Sequence, residues 1–105
     1  GEDHPDTLTS RDSLAGAYES VGRLEEAITL YEQVLTDRIR ILGEDHPDTL
    51  TSRNNLAGAY RVVGRLEEAI TLYEQVTKDC ARVLGEDHPL TKTVRENRLF
   101  RVECG

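Results

Sequence analysis

The sequence predicts an all-α fold in which antiparallel helix hairpins stack as a solenoid, with five helices in two and a half units. Two observations predict it. Residues 1–42 and 43–84 are identical at 33 of 42 positions, and a tandem period of this length makes each unit one supersecondary element whose apolar face a neighbour completes. Apolar residues recur at helical spacing within each unit, and no stretch alternates with the period of two that a half-buried strand needs. The differing pairs are Asp12/Asn54, Ser13/Asn55, Glu19/Arg61, Ser20/Val62, Leu35/Thr77, Thr36/Lys78, Arg38/Cys80, Ile39/Ala81 and Ile41/Val83. A third copy opens at Gly85-Glu86-Asp87-His88-Pro89, keeps Thr91, Thr93, Arg95 and Asn97, and then diverges to Gly105.

Each element has a local cause, shown by the second unit. Pro47 suits the first position of a helix, His46 takes the extended conformation that a following proline imposes, and Asp48 favours the positive helix end. Leu50, Leu56, Ala57, Tyr60 and Val63 then recur at helical spacing until Gly64 supplies a left-handed stop. A second stripe, Leu66, Ala69, Ile70, Tyr73, Val76, Cys80, Val83 and Leu84, follows, with Glu67 and Glu68 in the first turn and Arg82 in the last. The short connection makes the pair an antiparallel hairpin. The predicted helices span residues 5–21, 24–41, 47–63, 66–84 and 89–103. In the last of these Arg98, Leu99 and Phe100 replace Leu56, Ala57 and Gly58, so this helix is expected to cap the apolar flank of the second unit; a chain cut within a longer array is the other reading.

Size and charge narrow the function. At 105 residues and 11.8 kDa the chain is read as a single domain, 1–105, with units 1–42 and 43–84 and a partial unit 85–105, leaving no room for a separate catalytic domain. Its net charge of −7 repels phosphate backbones and anionic lipid heads, so no nucleic acid and no membrane are expected as partners. No apolar run approaches the ~20 residues of a membrane span. The N-terminal residues carry neither basic nor apolar character, so no export signal is expected, and Cys80 and Cys104 read as reduced thiols of a cytoplasmic chain.

Residues that invite chemistry have simpler explanations. His4, His46 and His88 lie one period apart, on the order of 10 Å for packed helices, too far to converge on one ion; Asp45 and His46 are expected to shape the turn and the helix start. Cys80 falls on an apolar stripe, where cysteine acts as a small hydrophobe. No nucleophile–base pattern, phosphate loop or dinucleotide motif occurs. We therefore expect no enzyme, no cofactor and no metal.

The segments Leu14-Ala15-Gly16-Ala17-Tyr18 with Gly22, Leu24, Ala27, Ile28, Tyr31 and Val34, and Leu56-Ala57-Gly58-Ala59-Tyr60 with Gly64, Leu66, Ala69, Ile70, Tyr73 and Val76, resemble the tetratricopeptide repeat (TPR). The small residues let the two helices approach and the tyrosines fill the space between neighbours. Arg11 and Arg53 replace the family's early tryptophan, and Ile39 and Ala81 its terminal proline, so the second helix continues to a unit of 42 residues. This longer form looks like the repeats of kinesin light chain and of bacterial multidomain signalling proteins.

The resemblance, which covers about residues 1–97, implies a right-handed superhelical solenoid whose first helices line a concave, peptide-binding face. That face would carry Thr9, Asp12, Ser13, Gly16 and Glu19, then Thr51, Asn54, Asn55, Gly58 and Arg61, then Thr93, Glu96, Asn97 and Phe100. Gly16 and Gly58 would leave hollows for a ligand backbone, and Asn54 and Asn55 would pair with it irrespective of sequence. Asn55 matches the position with which chaperone-binding members hold a peptide carboxylate, but their lysines fall at Asp12 and Thr93, so that clamp is missing. The basic groove of kinesin light chain is likewise absent, because Asp12, Glu19 and Glu96 face Arg61. The resemblance thus implies a scaffold within a larger signalling protein, binding a neutral to basic protein or peptide partner through Asp12, Glu19, Asn54, Asn55, Arg61, Glu96, Asn97 and Phe100. The alternative is a self-associating module, a homo-oligomer built by end-to-end stacking or helix exchange.

Overall fold

A computed structural model describes residues 5–98. It contains five helices, α1 (Pro5–Ser20), α2 (Leu24–Leu42), α3 (Pro47–Val63), α4 (Leu66–Leu84) and α5 (Pro89–Arg98), and no strand among the described residues. Helix α1 stops one residue before the expected Val21, which lies in the turn, and α2 runs one residue past Ile41. The extension of α5 to residue 103 lies outside the described residues.

The start signals act as the sequence predicts. His46 is the extended N-cap of α3 (φ −66°, ψ 138°), Pro47 follows it in the first turn, and Nδ1 of His46 accepts from the Asp48 backbone N–H at 3.0 Å. His88 repeats the cap at α5, accepting from Leu90 N–H at 3.0 Å. The imidazole takes the part usually given to a serine or aspartate side chain, satisfying a helix-terminal donor. Gly64 ends α3 in the left-handed region (φ 87°, ψ 9°). Between units Gly43 has φ 90° and ψ 163°, a region essentially confined to glycine.

The hairpins close on small residues. Ala15, Ala27, Ala57 and Ala69 are all fully buried, so the backbones of α1 and α2, and of α3 and α4, approach at these points as expected. The tyrosines do fill the gaps: Tyr31, Tyr60 and Tyr73 are buried with the alanines in one apolar cluster. Arg23 and Arg65, just before the second helices, lay their guanidinium groups over Tyr18 and Tyr60 at 4.8 and 4.4 Å, while bonding Glu26 and Glu68 of the following turn.

The arginines at the tryptophan position tie each unit together internally by charge. Nη1 of Arg53 reaches Asp79 Oδ2 of α4 at 2.7 Å and Nη2 reaches Glu44 Oε1 of the preceding turn at 3.1 Å. Asp79 also pairs with Arg82 (3.3 Å), which pairs with Asp45 (2.9 Å), so one chain of charges ties the turn between units to the hairpin that follows it. Arg11 with Asp37 (3.0 Å) and Arg95 with Glu86 repeat parts of it.

The two interfaces between units are built differently. Where α2 meets α3, Arg38 is buried and donates to Ser52 Oγ at 2.6 Å, lies 3.6 Å from Asp12 Oδ2 and reaches the Asp48 carbonyl at 3.4 Å. One period later, where α4 meets α5, these three side chains are replaced by Cys80, Val94 and Asn54, and Cys80 and Val94 are fully buried together with Leu50 and Val76. Burial pushes the Cys80 thiol up, reinforced by Asp79, which keeps it a neutral apolar group. Removing one member of a buried charged set leaves its partner stranded. Arg38→Cys alone should therefore cost about 3 kcal/mol, whereas the combination of Asp12→Asn, Arg38→Cys and Ser52→Val, which transplants the second interface into the first, should recover most of that loss in urea unfolding.

Candidate functional site

The first helices α1, α3 and α5 form one continuous face joined by side-chain rungs. Asn55 Nδ2 donates to Asp12 Oδ2 at 3.2 Å, and Asn97 Nδ2 donates to Asn54 Oδ1 at 3.1 Å. Each rung joins a position in one unit to a position 43 residues on, one more than the 42-residue period. Asn54 and Asn55, adjacent on α3 and so about 100° apart around it, thus face opposite neighbours, α5 and α1 respectively.

Beside the rungs lies a shallow pocket of about 200 Å³ lined by Glu19, Tyr31, Asn54, Asn55, Gly58, Arg61, Val62, Tyr73 and Asn97. Five of the side chains expected on this face thus come together: Glu19, Asn54, Asn55, Arg61 and Asn97. Asp12 does not line it. Its carboxylate is drawn inward, with Oδ1 buried and Oδ2 facing Asn55 and Arg38; burial raises its pKa, opposed by Arg38 and by the Asn55 bond. Glu96 is exposed on α5 and lies outside the pocket lining. Phe100 lies outside the described residues. Asn54 keeps its amide N–H groups, and Asn55 its carbonyl oxygen, beyond the rungs.

Two contributors are not first-helix residues. Tyr31 and Tyr73 rise from the second helices so that their hydroxyls lie under Gly16 and Gly58: a Cβ on Gly16 would stand 3.8 Å from Tyr31 Oη, and one on Gly58 3.4 Å from Tyr73 Oη. The hollows expected at these glycines are therefore floored by phenol hydroxyls of the same unit, and a methyl group there makes ordinary van der Waals contact. The signal lies in the sequence as a glycine followed fifteen residues later by tyrosine in both units, but a linear reading does not give the height of the phenol.

The phenols are tuned by their surroundings. Tyr31 Oη donates to Glu19 Oε1 at 3.2 Å, and burial followed by the Glu19 charge pushes its pKa up. Tyr73 is raised by burial, with Arg61 pulling the other way. Tyr60 Oη donates to Glu32 of α2 at 2.8 Å, and burial and that bond push it up to about 12. No group of three or more metal-ligating side chains converges among the described residues. What the pocket offers chemically is hydrogen bonding from amides and phenols between a carboxylate and a guanidinium.

A family model for the tetratricopeptide repeat matches residues 6–78 and again 53–98. Kinesin light chain-related 2 of Arabidopsis thaliana is 46% identical over 43 residues, which is 41% of this chain and 6% of that protein. A crystal structure from Podosopora anserina, described as a kinesin light chain with nearly identical TPR-like repeats, superposes with a TM-score of 0.84 at 36% identity, over 93% of this chain and 46% of that one. The structure of BtubC (BKLC) from P. vanneervenii gives 0.78 at 26% identity, over 90% and 37%. This chain thus spans less than half the length of each.

The raised Tyr60 pKa sets a pH limit. A group whose pKa is higher folded than unfolded contributes stability that is complete below the unfolded value, about 10 for tyrosine, and is lost as pH rises through the folded one. Stability should accordingly fall between pH 10 and about 12, and Tyr60→Phe should make that fall smaller, leaving the share of Tyr31 and Tyr73, when unfolding midpoints are measured across the range.

Proposed function

The chain belongs to the tetratricopeptide repeat family, and on that premise we propose that it is a protein-interaction scaffold holding a peptide segment against the face of α1, α3 and α5. Repeats of this family serve protein–protein interaction in general; the peptide class is our reading. The observation that carries it is the pocket between Glu19 and Arg61, where the adjacent amides of Asn54 and Asn55 on α3 keep hydrogen-bonding groups beyond the rungs. One amide with N–H groups and one with a carbonyl oxygen suit a ligand backbone, which carries both donors and acceptors along its length. Glu19 and the exposed Glu96 favour a ligand that is neutral to basic, and Arg61 anchors a carbonyl or a single acidic group. The function is binding, and nothing in this arrangement activates a nucleophile.

The proposal is tested by titrating fluorescent twelve-residue peptides of lysine-rich, neutral and glutamate-rich composition. Neutral and lysine-rich peptides should bind more tightly than glutamate-rich ones, and Asn55→Ala with Arg61→Ala should weaken binding about tenfold, the effect of roughly 1.4 kcal/mol. Gly58→Ala separates binding from folding, because alanine improves the helix by up to about 1 kcal/mol while placing a methyl group in the pocket: melting should hold or rise as affinity falls. Unchanged affinity in all these variants would place the ligand elsewhere.

The second reading, self-association, is favoured by one observation: Leu14 on α1 is 46% exposed, whereas its counterpart Leu56 on α3, covered by α2, is 4% exposed. End-to-end stacking also needs a second helix with an uncovered flank, and the flank of α4 around Val76 and Cys80 is already taken by Val94 of α5. Light scattering across a concentration series should give the monomer mass of 11.8 kDa throughout.

A further inference from the structure

The open flank of α1 carries Ser10, Leu14, Ala17 and Tyr18, the same residues as Ser52, Leu56, Ala59 and Tyr60 of α3. On α3 these four are 1%, 4%, 2% and 8% exposed because α2 covers them, Arg38 bonding Ser52 and Glu32 bonding Tyr60. On α1, Ser10, Leu14 and Ala17 are exposed and Tyr18 is half-buried. The molecule therefore displays one acceptor surface twice, once with its occupant. The α5 surface differs, since Val94 stands at the serine position and receives Cys80.

We propose that the flank of α1 is a docking surface for the second helix of a further repeat of the first kind, carrying glutamate where α2 has Glu32 and arginine where it has Arg38, and that it discriminates against a helix of the second kind with cysteine at that place. The discrimination follows from the two interfaces. A serine hydroxyl accepts from a guanidinium and so lets that charge be buried beside an aspartate, whereas valine offers it no acceptor and takes away the shortest of its bonds. A cysteine facing Ser10 would bury a hydroxyl against an apolar group and forgo the arginine bond. In a folded copy of this chain Arg38 of α2 is already bonded to Ser52 of α3, and α4 carries Cys80 at that place, packed against Val94 of α5; neither second helix offers the matching arginine, so the occupant is another repeat and not a second copy. The proposal concerns a different surface from the groove and stands or falls separately from it.

The joint needed to test this already exists, because residues 1–5 repeat residues 43–47. A copy of residues 1–42 placed ahead of Gly1 recreates the natural turn. Two such extended chains are compared, one with the copy unchanged and one whose copy carries D12N and R38C, each with Ser10 kept in the original first unit and each with Ser10→Val there. Hydrogen exchange of the α1 amides is the readout. With Ser10, the unchanged copy should slow α1 exchange about tenfold more than the altered copy; with Ser10→Val the order should invert. Equal protection by both copies, no protection by either, or an order indifferent to residue 10 overturns the proposal. The unextended chain with Ser10→Val controls for any effect of the exposed substitution itself.

Discussion

The close approach of two helices at buried alanines is the constraint on which the rest of this molecule depends. Ala15 and Ala27 in the first unit, and Ala57 and Ala69 in the second, are fully buried in one cluster, and side chains this small keep each hairpin thin. A thin hairpin cannot enclose its own tyrosines and leucines. Several are covered by a neighbouring unit, as Tyr60 of α3 is by α2; the extensive helix contacts run between chain neighbours, and stability in such arrays is a sum of unit and interface contributions. The same crossing lifts Tyr31 and Tyr73 to the opposite face, where their hydroxyls become the floor of the pocket.

Because interfaces carry so much of the fold, their chemistry also sets the order of units. The first joint buries a guanidinium among a carboxylate, a hydroxyl and a carbonyl; the second buries a thiol against valine. Nearly identical units could otherwise exchange places at small cost, since their turns and hairpin crossings are interchangeable. A buried polar set is often worth little in net stability, and its consequence here is choice of neighbour. The outer charge chain through Arg53, Asp79, Arg82 and Asp45 is common ground that fixes each turn to its hairpin; of it, the first unit repeats Arg11 with Asp37.

Much of this was legible in the residues. Proline and glycine mark the helix limits to within a residue for the described elements, because each acts through its own backbone geometry. His46 reads correctly as part of the helix start. The pairing of the rungs was not legible: a period of 42 aligns Asp12 with Asn54, but opposite sides of α3 face its two neighbours, so Asp12 meets Asn55. Nor was the inward turn of Asp12, which depends on Arg38 from another helix. The exchange of Arg38 for Cys80 was visible among the differing positions, but its meaning needs Ser52 and Val94, which meet them only in three dimensions. Replacement of the family's tryptophan by Arg53 likewise makes sense only beside Asp79 and Glu44.

The asparagine rungs have a mechanical corollary. They are short bridges along one side of a stack whose units touch mainly in sequence, so any change in the angle between neighbours is felt there as strain. A rod built this way behaves as a leaf spring with its gauge along one edge. A ligand gripping two successive units would stiffen that edge, and tension along the chain would open it one joint at a time.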